Sequence, residues 1–231
     1  MRAAVVVFPG TWSDGDCVWA LGQVGIESRK VWHRETHIEP DEFVVLPGGF
    51  SYGDYLRTGA IARFSPVMGA VQAHAEAGGL VIGICNGFQI LCEAGLLPGV
   101  LMRNASLQFR CQDAYCVPVN TTSPFTRSLD PTRGYLMPVS HGEGRYYADD
   151  ATLARLEDTD RVAFRYGTRE GGVTPEANPN GSLHNIAGIL NERGNVLGLM
   201  PHPERACEPL LGNDDGNAIW RSILDAVAVR A

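Results

Sequence analysis

The sequence has no apolar stretch long enough to cross a bilayer. Its longest apolar runs, residues 5–8 and 80–85, have the length of a strand, whereas a membrane-spanning helix needs about 20 apolar residues. The N-terminus carries Arg2 but no apolar core with a cleavage site, because it passes directly into a predicted strand. These absences predict a cytoplasmic protein without a membrane partner.

The chain also has neither an excess of basic residues nor the cysteine spacing of a zinc site. Its formal net charge is −7 at pH 7, which argues against a nucleic-acid partner. None of the six cysteines forms a Cys-x-x-Cys pair, so no metal site is predicted, and in a reducing cytosol the thiols are expected to be free. The sequence contains no phosphate-binding P-loop, so this chain is not expected to activate a substrate with ATP.

Short apolar runs alternate with helical patterns along the chain, which predicts an α/β fold with a mostly parallel central sheet and helices on both faces. The second half adds antiparallel pairs, such as a hairpin across residues 191–195. No repeat or linker interrupts the chain, so we predict a single domain over residues 1–231. Residues 171–185, rich in Gly, Pro and Asn, are predicted to form a surface loop. Strands are predicted over residues 3–8, 28–33, 43–46, 80–84, 108–118, 135–139, 161–166, 186–190 and 196–200, and helices over residues 15–24, 66–77, 87–94 and 218–229.

One segment has the pattern of a nucleophile on a sharp turn. Residues 81–91 read Val-Ile-Gly-Ile-Cys-Asn-Gly-Phe-Gln-Ile-Leu, an apolar run that ends at Cys85 and continues as helix-compatible sequence. This is typical of a strand, a tight elbow and a helix, with Gly83 and Gly87 leaving room where backbones approach closely. The positive end of the helix dipole favours a thiolate at this position. We therefore predict that Cys85 is a nucleophile, the alternative being one more buried thiol.

A thiol nucleophile needs a base, and His202 has the most suitable setting of the six histidines. It follows a predicted strand, within Pro201-His202-Pro203-Glu204-Arg205. The two prolines predict an extended segment, in which His202 and Glu204 point the same way. Glu204 is then expected to orient the imidazole of His202 toward Cys85. The alternative is a proline-rich turn with a solvated His and Glu.

Acyl transfer also needs donors for the developing oxyanion. The backbone N–H of Asn86, directly after the nucleophile, is one candidate. The glycine pair of Leu46-Pro47-Gly48-Gly49-Phe50, at the end of a predicted strand, offers a second, and we choose Gly49. Most Pro-Gly-Gly tripeptides are simply turns, so this prediction depends on the elbow beside it.

With these residues in order, the sequence resembles the class I, triad-type glutamine amidotransferases. Within that class it is similar to the small glutaminase subunits of phosphoribosylformylglycinamidine synthases, nearly from end to end. The resemblance is carried by residues 47–57, 59–64, 85–91, 141–144 and 201–205.

The resemblance implies a flavodoxin-like fold and the hydrolysis of L-glutamine to glutamate and ammonia by a Cys-His-Glu triad. It implies that Gln89 binds glutamine, the alternative being a solvated helix residue. It also implies that His141 and Glu143 lie near the partner or the ammonia exit, the alternative being a plain turn.

The same resemblance implies partners. Ammonia becomes ammonium in neutral water and loses its nucleophilicity, so it must pass to a separate protein. The family pairs the glutaminase with a large ATP-dependent synthetase, which converts formylglycinamide ribonucleotide to formylglycinamidine ribonucleotide in de novo purine biosynthesis, and with a small third subunit. ATP and Mg²⁺ then belong to the synthetase, and this chain binds no cofactor. Residues 50–57, with two tyrosines among charged residues, are expected to form a docking loop.

Three alternatives stay open at this point. A cysteine peptidase or similar hydrolase shares the elbow but commonly takes its histidine from directly after the cysteine, where this chain has Asn86. A binding module without activity would not need Cys85, His202 and Glu204 together. A glutaminase subunit of another pathway would not be expected to carry residues 50–64 as they stand.

Overall fold

The structure is a computed structural model that describes residues 1–228. The predicted elements are present with ends that differ by one or two residues, except that Val229, the predicted end of the last helix, lies outside the described residues. The strands are β1 (Arg2–Val7), β2 (Glu27–Trp32), β3 (Glu42–Leu46), β4 (Val81–Ile84), β5 (Val100–Met102), β6 (Arg110–Pro118), β7 (Tyr135–His141), β8 (Arg145–Tyr147), β9 (Val162–Gly167), β10 (Ile186–Leu190) and β11 (Val196–Leu199). The α-helices are α1 (Asp14–Gln23), α2 (Pro66–Glu76), α3 (Asn86–Glu93), α4 (Asp150–Asp158) and α5 (Asn217–Ala228).

Nine strands form one sheet in the order β2-β1-β3-β4-β11-β10-β9-β6-β7, and β5 pairs with β8 separately. The first five strands of this order pair in parallel, and the remaining pairs are antiparallel. The parallel half begins with the strand order of flavodoxin-like folds. The predicted α/β fold with a mostly parallel central sheet is therefore confirmed, and β10 and β11 form the predicted hairpin across residues 191–195.

Helices cover both faces of the sheet, as predicted. Phe43 and Leu46 lie three residues apart in β3, so their side chains point to opposite faces. Phe43 packs against Trp220 of α5, with ring centroids 6.3 Å apart. Leu46 instead lies against Gly87 of α3, where an added Cβ would strike it. Buried apolar residues of β1, β3, β4 and β11 form the core between these helices.

The sequence analysis missed three elements. Helix α4 has a signal that could have revealed it, because the side chain of Asp149 caps the backbone N–H of Thr152 at 2.7 Å and Leu153 and Leu156 are buried one turn apart. The short strands β5 and β8 pair only with each other, and three residues are too few for a periodic pattern. No helix within residues 1–228 is long and apolar enough to cross a membrane.

The parallel half of the sheet brings four loops together at one edge. Parallel strands end on the same side, so the residues after β1, β3, β4 and β11 are neighbours. The end of β7 joins them from the antiparallel half, because the backbone N–H of His202 donates to the carbonyl oxygen of Pro138 at 2.9 Å. This edge therefore collects most of the residues that the sequence singled out.

Candidate active site

Cys85 lies on the predicted elbow between β4 and α3. Its backbone is left-handed, with φ 49° and ψ −104°, a conformation that costs a non-glycine residue about 1–3 kcal/mol. The approach of strand and helix is close, since a Cβ added at Gly83 would lie 2.6 Å from the carbonyl group of Gly87. Such strain persists where the surrounding structure enforces it. The strained turn places the thiol of Cys85 at the N-terminus of α3.

The thiol of Cys85 lines a cleft but is only 5% exposed. Its Sγ donates to the carbonyl oxygen of Ser140 at 3.7 Å. Burial raises the pKa of the Cys92 thiol, which makes it a poor nucleophile. Cys111, in β6, is exposed and is therefore the thiol that competes with Cys85 for a reagent in solution.

His202 and Glu204 form a buried pair beside Cys85. The imidazole Nδ1 donates to Oε1 of Glu204 at 2.6 Å, and the two residues are 2% and 1% exposed. The predicted extended conformation is wrong, because Pro203–Arg205 forms a short 3₁₀ helix. Proline suits the first position of such a turn, and the turn still brings the carboxylate to the imidazole.

The second nitrogen of this imidazole is left without a hydrogen-bond partner by the residues that the structure describes. Nε2 of His202 is buried and has no hydrogen-bond partner within residues 1–228, and His202 lines the same cavity as Cys85. Burial lowers the pKa of His202, but the negative charges of Glu204 and Cys85 raise it more, so the net direction is upward. A protonated imidazole at His202 is thus stabilised by the carboxylate of Glu204.

Gly48 has a part that the sequence analysis missed. A Cβ at this position would lie 2.7 Å from Cε1 of His202, which is closer than real Cβ contacts. The backbone of Gly48 therefore lies directly against the imidazole ring of His202. Only the absence of a side chain lets His202 lie where it does.

The two predicted oxyanion donors belong to segments next to Cys85. Gly49 and Cys85 line the same cavity, and Asn86 begins α3 directly after the thiol. Neither backbone N–H has an acceptor among the described residues. The side chain of Asn86 joins the two segments, because its Oδ1 accepts from the N–H of Ser51 at 3.1 Å and its Nδ2 donates to Oε1 of Gln89 at 2.9 Å.

The cleft has two compartments that meet at Cys85. The first is lined by Trp12, Ser13, His202 and Arg205. The second is lined by Asp54, Thr58, Gln89, His141 and Glu143. Gly49, Phe50, Phe109 and Ser140 line both.

Gln89, His141 and Glu143, which the resemblance singled out, all lie in the second compartment. Nε2 of Gln89 donates to the backbone carbonyl oxygen of Glu143 at 2.6 Å, so Gln89 is not a solvated helix residue. His141 is buried and does not face the solvent as a turn residue would. Burial and the nearby His202 lower the pKa of His141 to about 4, so its imidazole is neutral at pH 7.

Two asparagines that the sequence analysis missed hold His141 in place. Oδ1 of Asn104 lies 3.1 Å from Nδ1 of His141, and Nδ2 of Asn180 lies 3.4 Å from its Nε2. Asn180 also donates to the carbonyl oxygen of Gly144 at 2.9 Å. A neutral imidazole satisfies both contacts, with Nδ1 as the donor and Nε2 as the acceptor.

The prediction of a surface loop over residues 171–185 is therefore wrong in its second part. The first part is largely exposed, but Asn180 and Ser182 are buried against residues 141–146. A polar composition predicted exposure, but these polar groups instead pair with backbone groups of another loop. Their partners are about 40 residues away in sequence, so no local pattern reveals them.

The predicted docking loop is exposed in part. Tyr55 is 90% exposed and Leu56 is also exposed. The hydroxyl of Tyr52, however, hydrogen-bonds Nδ1 of His33 at 2.9 Å and Oγ of Ser65 at 2.8 Å. Within residues 1–228 no group of three or more His, Cys, Asp or Glu side chains is arranged to hold a metal ion.

Comparison with known proteins gives matches along the whole chain. The model of a family described as a CobB/CobQ-like glutamine amidotransferase domain matches residues 1–221. Phosphoribosylformylglycinamidine synthase subunit PurQ of Salinibacter ruber is 58% identical over 231 residues, which is 100% of this chain and 98% of that protein. The protein of the same name from Moorella thermoacetica is 56% identical and covers 97% of this chain and 96% of its own length.

Two solved structures of known proteins also superpose on this chain. A chain in the structure of PurLQS from Thermotoga maritima superposes with a TM-score of 0.87 at 42% identity, covering 98% of both chains. A glutamine amidotransferase from Thermotoga maritima superposes with a TM-score of 0.58 at 14% identity, covering 98% of this chain and 97% of the other. At that identity the second match bears on the fold alone.

Proposed function

Because this chain belongs to the glutamine amidotransferase family, and within it to the PurQ subunits of phosphoribosylformylglycinamidine synthase, we propose that it hydrolyses L-glutamine and supplies the ammonia for that synthase in purine biosynthesis. The observation that carries the proposal is the cleft in which Cys85, on its strand-to-helix turn, meets the buried pair of His202 and Glu204. A peptidase of the same fold is disfavoured, since the base lies after β11 and Asn86 follows the cysteine.

The reaction begins with a tetrahedral adduct of Cys85 and glutamine, from which the thioester forms when ammonia leaves. Nε2 of His202 takes the thiol proton of Cys85, and Sγ bonds to the side-chain amide carbon of glutamine. The electron pair of the carbonyl bond moves to the oxygen, which accepts hydrogen bonds from the backbone N–H groups of Gly49 and Asn86. Each donor of this kind contributes about 10²–10³-fold in rate.

The second half releases both products. His202, as an imidazolium stabilised by Glu204, gives its proton to the amide nitrogen, the C–N bond breaks and ammonia leaves. A water molecule then attacks the glutamyl thioester while His202 takes a proton from it. The C–S bond breaks, glutamate leaves and the proton returns to Cys85. Throughout, Gln89 binds the substrate from the second compartment.

The ammonia must reach another protein, because the sequence contains no P-loop with which to activate an acceptor by ATP. Its partners are a large ATP-dependent synthetase, which converts formylglycinamide ribonucleotide to formylglycinamidine ribonucleotide, and a small third subunit, in line with the PurLQS assembly of the Thermotoga relative. ATP and Mg²⁺ act in the synthetase, and this chain uses no cofactor of its own. We place the reaction in the cytoplasm, since all six cysteines are free thiols.

The experiment measures glutamate release from L-glutamine by the purified chain, alone and then with both partner subunits, ATP and formylglycinamide ribonucleotide. We expect slow hydrolysis alone and an acceleration of about 10²–10³-fold in the complex, because Gly49 leads directly into residues 50–57, whose exposed Tyr55 and Leu56 a partner can contact. The Cys85→Ala complex, supplied with ammonium salt, controls for the synthetase. Absence of glutamate release in both settings would contradict the proposed function, whereas full activity of the lone chain would contradict only the coupling.

A further inference from the structure

The backbone that follows Gly49 is held in a strained turn. Tyr52, Gly53 and Asp54 are consecutive residues with positive φ, at 53°, 69° and 53°. This left-handed conformation is unfavourable for a residue other than glycine, and it persists only where surrounding contacts enforce it. The contacts of this turn, residues 50–54, therefore decide how the backbone leaves Gly49.

Backbone hydrogen bonds join the turn to the surroundings of Gly49. The N–H of Phe50 donates to the carbonyl oxygen of Gly10 at 2.9 Å. The N–H of Tyr52 donates to the carbonyl oxygen of Pro9 at 2.7 Å. Gly49 is enclosed by the same segment, since an added Cβ would lie 2.7 Å from the carbonyl oxygen of Gly10. A shift of Tyr52 is therefore passed to Gly49, which has little free space around it.

The side chain of Tyr52 anchors the turn to two other elements. Its hydroxyl lies 2.9 Å from Nδ1 of His33, directly after β2, and 2.8 Å from Oγ of Ser65, directly before α2. Both partners are buried, at 8% and 6% exposure. Burial, and after it the charge of Arg34, lowers the pKa of His33, so its imidazole is neutral at pH 7 and has one acceptor nitrogen. A hydroxyl donates one hydrogen bond and accepts others, so that of Tyr52 satisfies both neighbours.

Tyr52 lies outside the cleft. It lines neither of the compartments that residues 1–228 form around Cys85, and it borders a separate groove beside Ile61 and Phe64. The hydroxyl of Tyr52 therefore does not touch a substrate bound at Cys85. Any effect of this hydroxyl on the reaction passes through the backbone of the turn.

On the premise of the proposed function, we propose that Tyr52 is a positioning residue whose hydroxyl, anchored on His33 and Ser65, holds the strained turn and thereby fixes the backbone N–H of Gly49 where the oxyanion develops. This N–H has no acceptor among the described residues, so its direction depends on the contacts of the residues around it. A preorganised donor loses its effect when it is displaced, because the oxyanion site is defined by distances of about 3 Å.

The test compares two reactions of Cys85 in the Tyr52→Phe variant. Hydrolysis of L-glutamine develops an oxyanion, whereas alkylation by iodoacetamide does not, because the sulfur bonds to the CH₂ carbon and iodide leaves. Both reactions are measured in the assembled complex, and mass spectrometry follows alkylation at the peptide that contains Cys85. We expect kcat for L-glutamine to fall at least about 10-fold, with its KM and the rate of Cys85 alkylation little changed.

Two further variants sharpen the result. Tyr135→Phe is the matched control, because the hydroxyl of Tyr135 also has a hydrogen bond, from the backbone N–H of Asp130 at 2.8 Å, and this variant should lose melting temperature only. Ser65→Ala removes one anchor of Tyr52 without removing a cap of α2, since the Ser65 side chain makes no cap hydrogen bond. It should lower kcat in part, and the double variant with Tyr52→Phe should lose no more than Tyr52→Phe alone.

Several outcomes would overturn the inference. Equal slowing of hydrolysis and alkylation would show that Tyr52→Phe displaces Cys85 or His202. Normal kcat would show that the hydrogen bonds from the N–H groups of Trp12 and Ser13 to the carbonyl oxygen of Gly48 hold the neighbouring glycine unaided.

A raised KM with normal kcat would assign Tyr52 to substrate binding, and an equal loss of kcat in Tyr135→Phe would reduce its role to stability. Each of these results, obtained with an active natural chain, removes this inference alone. A natural chain without glutaminase activity removes the proposed function first and this inference with it.

Discussion

Nδ1 of His202 donates to Oε1 of Glu204 across 2.6 Å between two buried side chains, and this one bond determines which imidazole nitrogen is left for Cys85. Because Nδ1 carries the hydrogen, Nε2 is the atom that accepts a proton. An exposed His–Glu pair would contribute little free energy, but burial strengthens the hydrogen bond between these two side chains. The carboxylate therefore acts on the thiol only through the imidazole.

Removing the imidazole of His202 is expected to lower the rate of glutamine hydrolysis more than removing the charge of Glu204. His202→Ala should lower glutamine hydrolysis about 10²–10⁴-fold, the usual loss for a general base. Glu204→Gln should cost less, since the amide oxygen still accepts from Nδ1 while the charge that supports the imidazolium is lost. Steady-state assays of both variants across neutral pH provide the measurement. Equal activity of the natural chain and His202→Ala would refute the assignment of the base.

Substitution of the nucleophile should separate glutamine hydrolysis from synthesis. Cys85→Ala is expected to abolish glutamate release, since no other group forms the thioester, while the assembled complex still uses ammonia. A glutamine analogue with an electrophilic side chain should label Cys85, and mass spectrometry locates the label. A Cys111→Ser background removes the exposed thiol that would react non-specifically. Labelling at Cys92 in place of Cys85 would show that the elbow was wrongly assigned.

A single methyl group at Gly48 should displace the base. Gly48→Ala places a Cβ 2.7 Å from Cε1 of His202, so we expect a loss of kcat of at least about 10-fold from a misplaced imidazole. Gly69→Ala is the matched control, because Gly69 lies in α2 with no atom near its added Cβ. That control should keep its activity and gain up to about 1 kcal/mol of stability from helix propensity. Normal kcat in Gly48→Ala would show that the imidazole has room to move.

The buried asparagines allow a test of positioning. Asn180→Ala removes the hydrogen bonds that hold His141 and Gly144, and we expect both a lower melting temperature and weaker glutamine turnover. Asn120 is the control, because it is equally buried and well bonded, to Asp160 among others, but none of its hydrogen-bond partners lines the cleft. Asn120→Ala should lose stability only. If both variants lose activity in proportion to stability, Asn180 has no special relation to the site.

Local sequence was sufficient to predict most strands and helices and the turn that carries Cys85. The elbow at Cys85 follows from a few adjacent residues, since apolar β4, the two glycines and the start of α3 are all within one segment. The pairing of His202 with Glu204 was predicted for a wrong reason, because a turn and not an extended segment joins them. The contacts of Gly48 and Asn180 arise between loops distant in sequence, and no periodicity or turn signal encodes such contacts.

The place of β11 in the sheet has a consequence for the newly made protein. This strand lies between β4 and β10, and the base follows it, more than a hundred residues after the nucleophile. As the chain leaves the ribosome, one edge of the apolar strand β4 stays unpaired until β11 is made, and Cys85 lacks His202. The strand that covers this aggregation-prone edge is also the strand that delivers His202. A polypeptide that lacks β11 and His202 consequently cannot hydrolyse glutamine. The same folding step, the addition of β11 to the sheet, covers the exposed edge of β4 and completes the active site.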